Sequence, residues 1–276
     1  MRQRTITALI MAVVFVPILI FGDHYRIFAV FCGLLAMLAA YEIMNVIRKN
    51  RVFPFSFVIV TVLFTGGLYL TAYLAFSGLV PALSLGVYLL AVVFAVMFAN
   101  VFVSGVHTLD VGDALLTMLY SGFSFLALAL IRDQSLMLVI YVLLTAMLTD
   151  NFAYLFGTKY GKHKLAPLIS PKKSVEGAVS GLVIGGALAA LFAIWQNLFA
   201  MHWSLTILLT FGLSIVAQIG DLVASKIKRD YGVKDFSKLF PGHGGIMDRF
   251  DSWTFTAIGF LVLADVVDLV LLAMVF

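Results

Sequence analysis

At 276 residues, 63% hydrophobic and 12% charged, with a mean hydropathy of +1.09, the chain falls outside the range of water-soluble domains. Its one cysteine, Cys32, lies inside an apolar run, which excludes a disulfide framework or a paired-cysteine metal site. A net charge of +4 and a pI of about 9.1 need no nucleic acid to explain them, because the basic residues border apolar runs, where membrane lipids with anionic head groups are sufficient partners.

Apolar runs long enough to cross a bilayer recur from end to end. The pattern predicts nine spans, at 5–22, 27–47, 55–75, 80–102, 112–131, 135–158, 174–195, 203–225 and 252–274, and so an all-α, polytopic integral membrane protein. The opening MRQRT and the apolar run after it have the outline of a signal peptide. No small-residue cleavage site follows, so the run is read as a retained first span. An odd count puts the termini on opposite faces. With the N-terminus cytoplasmic and the C-terminus outside, sixteen of the 18 lysines and arginines fall on the inner face, leaving only Arg26 and Arg132 outside. Two regions are expected: an N-terminal membrane region, 1–133, of about five helices, and a C-terminal one, 134–276, of about four helices with cytoplasmic loops at 159–173 and 226–251.

Spans one to five carry few polar groups. Glu42 sits within two turns of Arg48, so an interfacial ion pair is expected, with a role in a site as the alternative. His107, Asp110 and Asp113 read as solvated or helix-capping residues. Polar density changes at span six. Asp150 lies about two turns before its inner end, where an isolated carboxylate costs roughly 2.5–3.5 kcal/mol. The loop after it brings lysines, His163 and two prolines, then Ser174 and Glu176 at the start of span seven. Ser174 could be a plain cap or, preceded by Lys172 and Lys173, part of a phosphate site at a helix N-terminus. On span eight, helical spacing places Gln218, Asp221, Ser225 and Lys228 on one face. The stretch Ser225–Asp251 then concentrates six of the 18 basic and four of the 14 acidic residues around glycines 242, 244 and 245, and closes with Asp248, Arg249 and Asp251. Glycines there would let backbone N–H groups approach a ligand. Basic residues for phosphates, carboxylates for a divalent ion and a glycine-rich turn suggest a metal and phosphate site at the membrane surface.

Ser-x-Ile-Lys-Arg from Ser225, Lys-Asp at 234–235, and Phe-Pro-Gly-His-Gly-Gly-Ile-Met-Asp-Arg-Phe-Asp ending at Asp251 resemble the signature of the phosphatidate cytidylyltransferases, the CDP-diacylglycerol synthases. The resemblance runs upstream through Asp221 and the segments ISPKKSVEG and GKHKLAP to Asp150, covering roughly the last 130 residues. One departure stands after Asp150, where Asn151 and Phe152 replace the family's frequent small residue and glycine. The resemblance implies transfer of the cytidylyl group from CTP to phosphatidate, with release of pyrophosphate, by a multi-pass protein of the plasma membrane whose site faces the cytoplasm. It implies catalytic roles for Asp221, Ser225, Lys228, Arg229 and Asp248. Asp221 and Asp248 would hold Mg²⁺, with a second cation such as K⁺ beside it. Asp150, Lys173, Ser174, Lys234, Asp235, His243, Gly244, Gly245, Arg249 and Asp251 would contact substrate, and the protein would be a homodimer.

Two alternatives use similar parts. A transporter would gather polar groups near the bilayer midplane from paired repeats, whereas here they collect at the inner face of one half. A related lipid-alcohol kinase would share the phosphate chemistry. Asp265 and Asp268 on span nine have no assigned role.

Overall fold

The computed structural model describes residues 2–22, 26–240, 242 and 244–275; the side chains of 2–6, 8 and 268–275 stand outside the description. In chain order the elements are α1 (Arg2–Phe21), α2 (Ile27–Asn50), α3 (Phe55–Phe76), α4 (Leu83–Phe102), α5 (Thr108–Gln134), α6 (Leu136–Tyr160), β1 (Lys164–Ala166), β2 (Ser170–Ser174), α7 (Val175–Ser180), a π-helical turn (Gly181–Gly185), α8 (Gly186–Trp195), α9 (Trp203–Asp230) and α10 (Met247–Val275). Among the described residues, eight helical segments, α7 to α8 counted as one, are long and apolar enough to cross a membrane. The expected first span corresponds to α1, only part of which lies within the described side chains. The protein is an all-α polytopic membrane protein.

Residues Met1–Asp133 with Asp230–Arg249 form one compact unit, and Gln134–Arg229 with Phe250–Phe276 form another. The expected division assigned all of 134–276 to one region. Instead the signature loop, 230–249, packs with the N-terminal helices, because side chains from those helices hold it, as detailed below.

In the first unit, α2 and α3 pack through small residues and aromatics. Tyr69 OH donates to Ala29 O at 2.6 Å, and a Cβ at Gly33 would lie 2.9 Å from the Tyr69 ring. Polar side chains inside the spans satisfy themselves locally, since lipid offers no partner. Thr61, Thr65, Thr117 and Ser121 each donate to the carbonyl four residues back. Arg132, buried near the end of α5, donates to Leu19 O and Ile20 O, carbonyls left without helical partners at the end of α1.

In the second unit, α6 packs against α7, the π turn and α8 through Gly177, Gly181 and Gly185. A Cβ on these would sit 2.5 Å from Ala153 O, 2.6 Å from Thr149 O and 2.8 Å from Leu148 C, so the helices meet backbone to backbone. Tyr141–Thr210 and Thr149–Ser214 hydroxyl pairs, at 2.7 and 2.8 Å, tie α6 to α9. The stretch expected as a loop at 159–173 contains a short antiparallel hairpin, Lys164 opposite Ser174 and Ala166 opposite Ser170. Its prolines prevent a helix there but leave an extended edge available.

Candidate active site

The second unit gathers charge from four elements. Asp221 on α9 accepts an ion pair from Lys173 on β2, Oδ2 to Nζ 2.7 Å, with both side chains less than one-third exposed. One turn along α9, Ser225 Oγ donates to Asp221 Oδ1 at 3.3 Å. Asp150 on α6 lies within electrostatic reach of Asp221 and Lys173, close to Ser252 on α10. Asp251 feels Asp221, Asp150 and Lys228, and its Oδ1 accepts from Ser252 N at 2.8 Å. Lys228, 8% exposed, sits one turn beyond Ser225 on the same face of α9. Three carboxylates and two ammonium groups therefore share one half-buried region. The polar face expected on span eight is real in this sense: Gln218 Nε2 donates to Ala178 O at 3.2 Å, and its neighbours on that face are the cluster.

Other expected residues around this cluster hold the scaffold. Ser174 Oγ accepts from Gly177 N at 3.2 Å and caps α7. Glu176 turns back to accept from Lys162 N, His163 N and the His163 ring, the last at 2.6 Å. Arg229 Nε donates to Ile169 O at 3.2 Å, fastening the turn of the hairpin. Ser252, whose amide donates to Asp251 and which stands close to Asp150, escaped the sequence reading: a serine one place into an apolar run carries no signal of its own.

The signature loop of the first unit is built differently. Asp248 Oδ2 accepts from Phe236 N and Gly245 N, both at 2.8 Å. Phe240 and Gly244 exchange backbone bonds of 2.8 and 3.1 Å around a tight turn, with Gly244 at φ 81°. A Cβ at Gly244 would stand 2.7 Å from Asp248 Oδ2 in addition to straining that φ. Glu42, 5% exposed on α2, accepts from Ser237 Oγ at 2.6 Å, Ile246 N at 3.0 Å and Met247 N at 3.1 Å. The expected Glu42–Arg48 ion pair gives way to this: Arg48 instead donates to Phe53 O and lies over the Phe55 ring. Of the glycine-run amides expected to approach a ligand, those of 244 and 245 are taken up by the protein itself. The N–H groups of Gly244, Gly245, Ile246 and Met247 all end on protein oxygens, because two carboxylates occupy the space that glycine leaves open.

The start of the loop is held as well. Tyr231 OH donates to Asp113 Oδ1 at 2.6 Å, and Asn50 Nδ2 donates to Tyr231 O at 2.7 Å. Burial, and the Asp113 carboxylate that accepts its hydrogen bond, push the Tyr231 phenol above its ordinary range. Asp113 also pairs with Arg51 at 3.2 Å, so the solvated reading of Asp113 is replaced by a structural one, while Asp110 does cap, accepting from His107 N at 2.8 Å. Lys234, Asp235 and Arg249 are exposed on this unit. Expected site residue His243 lies outside the described residues.

Metal binding can be tested against this donor set. Among the described residues, no three His, Cys, Asp or Glu side chains come together as a ready-made metal site. Mg²⁺ does not require one, since it is commonly held by one or two carboxylates with phosphate oxygens and water completing the octahedron. Asp221 suits that use: a part-exposed carboxylate whose present partners are the Lys173 ammonium and the Ser225 hydroxyl. Asp248 suits it less, one of its oxygens being committed to two amides.

A polytopic α-helical membrane protein with carboxylates and lysines converging at the end of a span has the equipment of a membrane enzyme of phosphate chemistry. Residues 2–267 match the cytidylyltransferase family, and the chain belongs to that family. It is similar to proteins named phosphatidate cytidylyltransferase from Staphylococcus haemolyticus (34% identical), Staphylococcus saprophyticus subsp. saprophyticus (36%) and Staphylococcus aureus strain COL (36%), in each case over 92% of this chain and 95% of the relative.

Proposed function

We propose that the protein transfers the cytidylyl group of CTP to phosphatidate, giving CDP-diacylglycerol and pyrophosphate. Family membership and the names of the relatives support this, and the observation on this chain that carries it is the Asp221–Lys173 pair within the cluster of Asp150, Lys228 and Asp251. A phosphate oxygen of phosphatidate attacks the α-phosphorus of CTP, a new P–O bond forms, and the α–β bridge breaks with its electron pair leaving on pyrophosphate. That oxygen is already anionic at neutral pH, so no strong base is needed. What the reaction asks of the protein is placement and charge neutralisation.

Lys173 and Lys228 would neutralise phosphate oxygens as point charges. Ser225 fixes the rotamer of Asp221. A bound Mg²⁺ supplies charge neutralisation on the nucleotide phosphates, and Asp221 is the carboxylate best placed to hold it. The resemblance adds Asp248 as a second ligand and K⁺ as a second cation. Lys234, Asp235, Arg249 and His243 would contact nucleotide. The transporter and lipid-kinase alternatives draw no support from the family.

Purified protein supplied with labelled CTP, phosphatidate and Mg²⁺ should make cytidine label lipid-extractable. No such label over a range of Mg²⁺ and lipid concentrations would overturn the reading. The orientation proposed, with the 159–173 and 226–251 loops and the N-terminus cytoplasmic and the protein in the plasma membrane, rests on the sixteen inner-face cations. On a Cys32-free background, a cysteine at Lys238 should resist an impermeant reagent in intact cells, and one placed after Phe276 should react; the reverse pattern would invert the topology. A homodimer is part of the same proposal, and mass measurement of the detergent-extracted protein tests it.

A further inference from the structure

We propose that Glu42 is a positioning residue for the nucleotide-handling loop: its buried charge, carried on a membrane helix outside the signature, sets the backbone conformation in which the loop works. The inference rests on the proposed function for its catalytic meaning, and on the bonds of Glu42 for its structural one.

Glu42 is an acceptor between donors from both limbs of the loop. Ser237 Oγ precedes the turn at 240–244, whereas Ile246 N and Met247 N follow it. One side chain thus staples together segments nine and ten residues apart. The two amides are also at the entry to α10, where backbone N–H groups have no helical acceptor and the helix carries partial positive charge. Glu42 caps that helix from another helix. Close by, Asp248 adds a second negative charge to the same small volume, and its two amide donors, with the three donors on Glu42, let both carboxylates remain there.

The geometry asks for a carboxylate rather than a polar group in general. Three donors converge on Glu42, and a carboxylate is acceptor-only on both oxygens. Glutamine would present an NH₂ to at least one of those donors and leave it unsatisfied. Packing leaves no alternative beside it, since a Cβ on Gly245 would overlap the Glu42 carboxylate. The glycine at 245 and the glutamate at 42 therefore form a pair, one chosen to make room for the other. Removing the charge should not unfold the helix bundle. It should release the two limbs of the loop from each other, and with them the placement of Lys234 and Asp235 on the first and Arg249 on the second, the nucleotide-contacting residues proposed for this unit.

The test uses the full-length protein in lipid nanodiscs. Glu42→Gln is expected to lower kcat/KM for CTP by about tenfold or more, the scale of one buried donor left unpaired, while the KM for phosphatidate stays within about twofold. Glu42→Asp, which keeps the charge on a shorter stem, should recover part of the loss. Hydrogen exchange at Ile246 and Met247 should accelerate in Glu42→Gln. Wild-type kcat/KM for CTP in Glu42→Gln overturns the proposal, as does an equal loss toward both substrates with no change in loop exchange. If Glu42→Gln fails to fold, Ser237→Ala removes one donor alone and should raise the CTP KM about two- to fivefold; an unchanged KM there overturns it. A wild-type protein inert toward CTP and phosphatidate would count against the proposed function instead, and the exchange rates would then judge the staple by themselves: unchanged exchange in Glu42→Gln overturns it.

Discussion

Carboxylates serve two opposite ends in the two units. In the first, Glu42 and Asp248 accept from five N–H and O–H donors. In the second, Asp221 faces an ammonium, Asp150 lies in the field of Lys173 and Asp251 in that of Lys228. Backbone dipoles are fixed partners, so a carboxylate bound to them makes a frame. A lysine on a flexible stem is an exchangeable partner, and a carboxylate paired with it can change allegiance when a cation and a polyphosphate arrive. Similar side chains therefore build a rigid loop in one place and an adaptable charge cluster in the other.

The adaptable cluster depends most on Asp221. Asp221→Asn keeps the shape and removes the charge, and cytidylyl transfer is expected to fall by about 10²–10³-fold, the scale for removing one electrostatic contributor at a reacting centre. Its melting temperature should move by a few degrees at most, since a part-exposed ion pair contributes about 1 kcal/mol or less. Retained turnover at limiting Mg²⁺ would remove Asp221 from the metal's coordination. A frame residue should show the other pattern. Gly245→Ala drives a methyl group into the Glu42 carboxylate and should cost about 1–3 kcal/mol of stability, as overpacking does, with a severalfold fall in activity that added Mg²⁺ does not restore. Thermal unfolding and a Mg²⁺ titration on the same preparation separate the two classes. The smallest effect is expected at the loop's other anchor. Tyr231→Phe deletes the bond to Asp113 and should cost about 0.5–1.5 kcal/mol with transfer rates near wild type. A large activity loss there would mean that both ends of the loop, not the Glu42 end alone, set its working conformation.

The helices were legible because lipid leaves so few options: an apolar run of span length has to close its own hydrogen bonds, and a helix does so within itself. The charged cluster was legible at Asp221, Ser225 and Lys228, because helical spacing puts them on one face, and at Asp150, because a carboxylate at that depth demands partners. Glu42 and Asp113 were not. Their partners stand 204 and 118 residues away along the chain, and no periodicity encodes a contact between distant segments. Their own neighbourhoods offered plausible local explanations, an arginine six residues on and a helix start, and these outweighed a contact that only the fold reveals. The glycine run misled for a related reason. Glycine announces that something approaches closely, but the sequence does not say whether it is a ligand or a side chain of the same protein.

The π turn at Gly181–Gly185 has a consequence for phase. Residues four apart on an α-helix overshoot a full turn by about 40°, so three glycines at 177, 181 and 185 on a regular helix would wind progressively away from a straight neighbour. A wider π turn rotates the chain less per residue and takes back the overshoot, so Gly185 returns to the azimuth of Gly177 and all three lie against α6. The extra backbone residue acts as a vernier between two helical registers. The turn uses five residues for about the rotation that four make in an α-helix, so deleting one of them would restore a regular helix and leave α8 presenting the same face to α6.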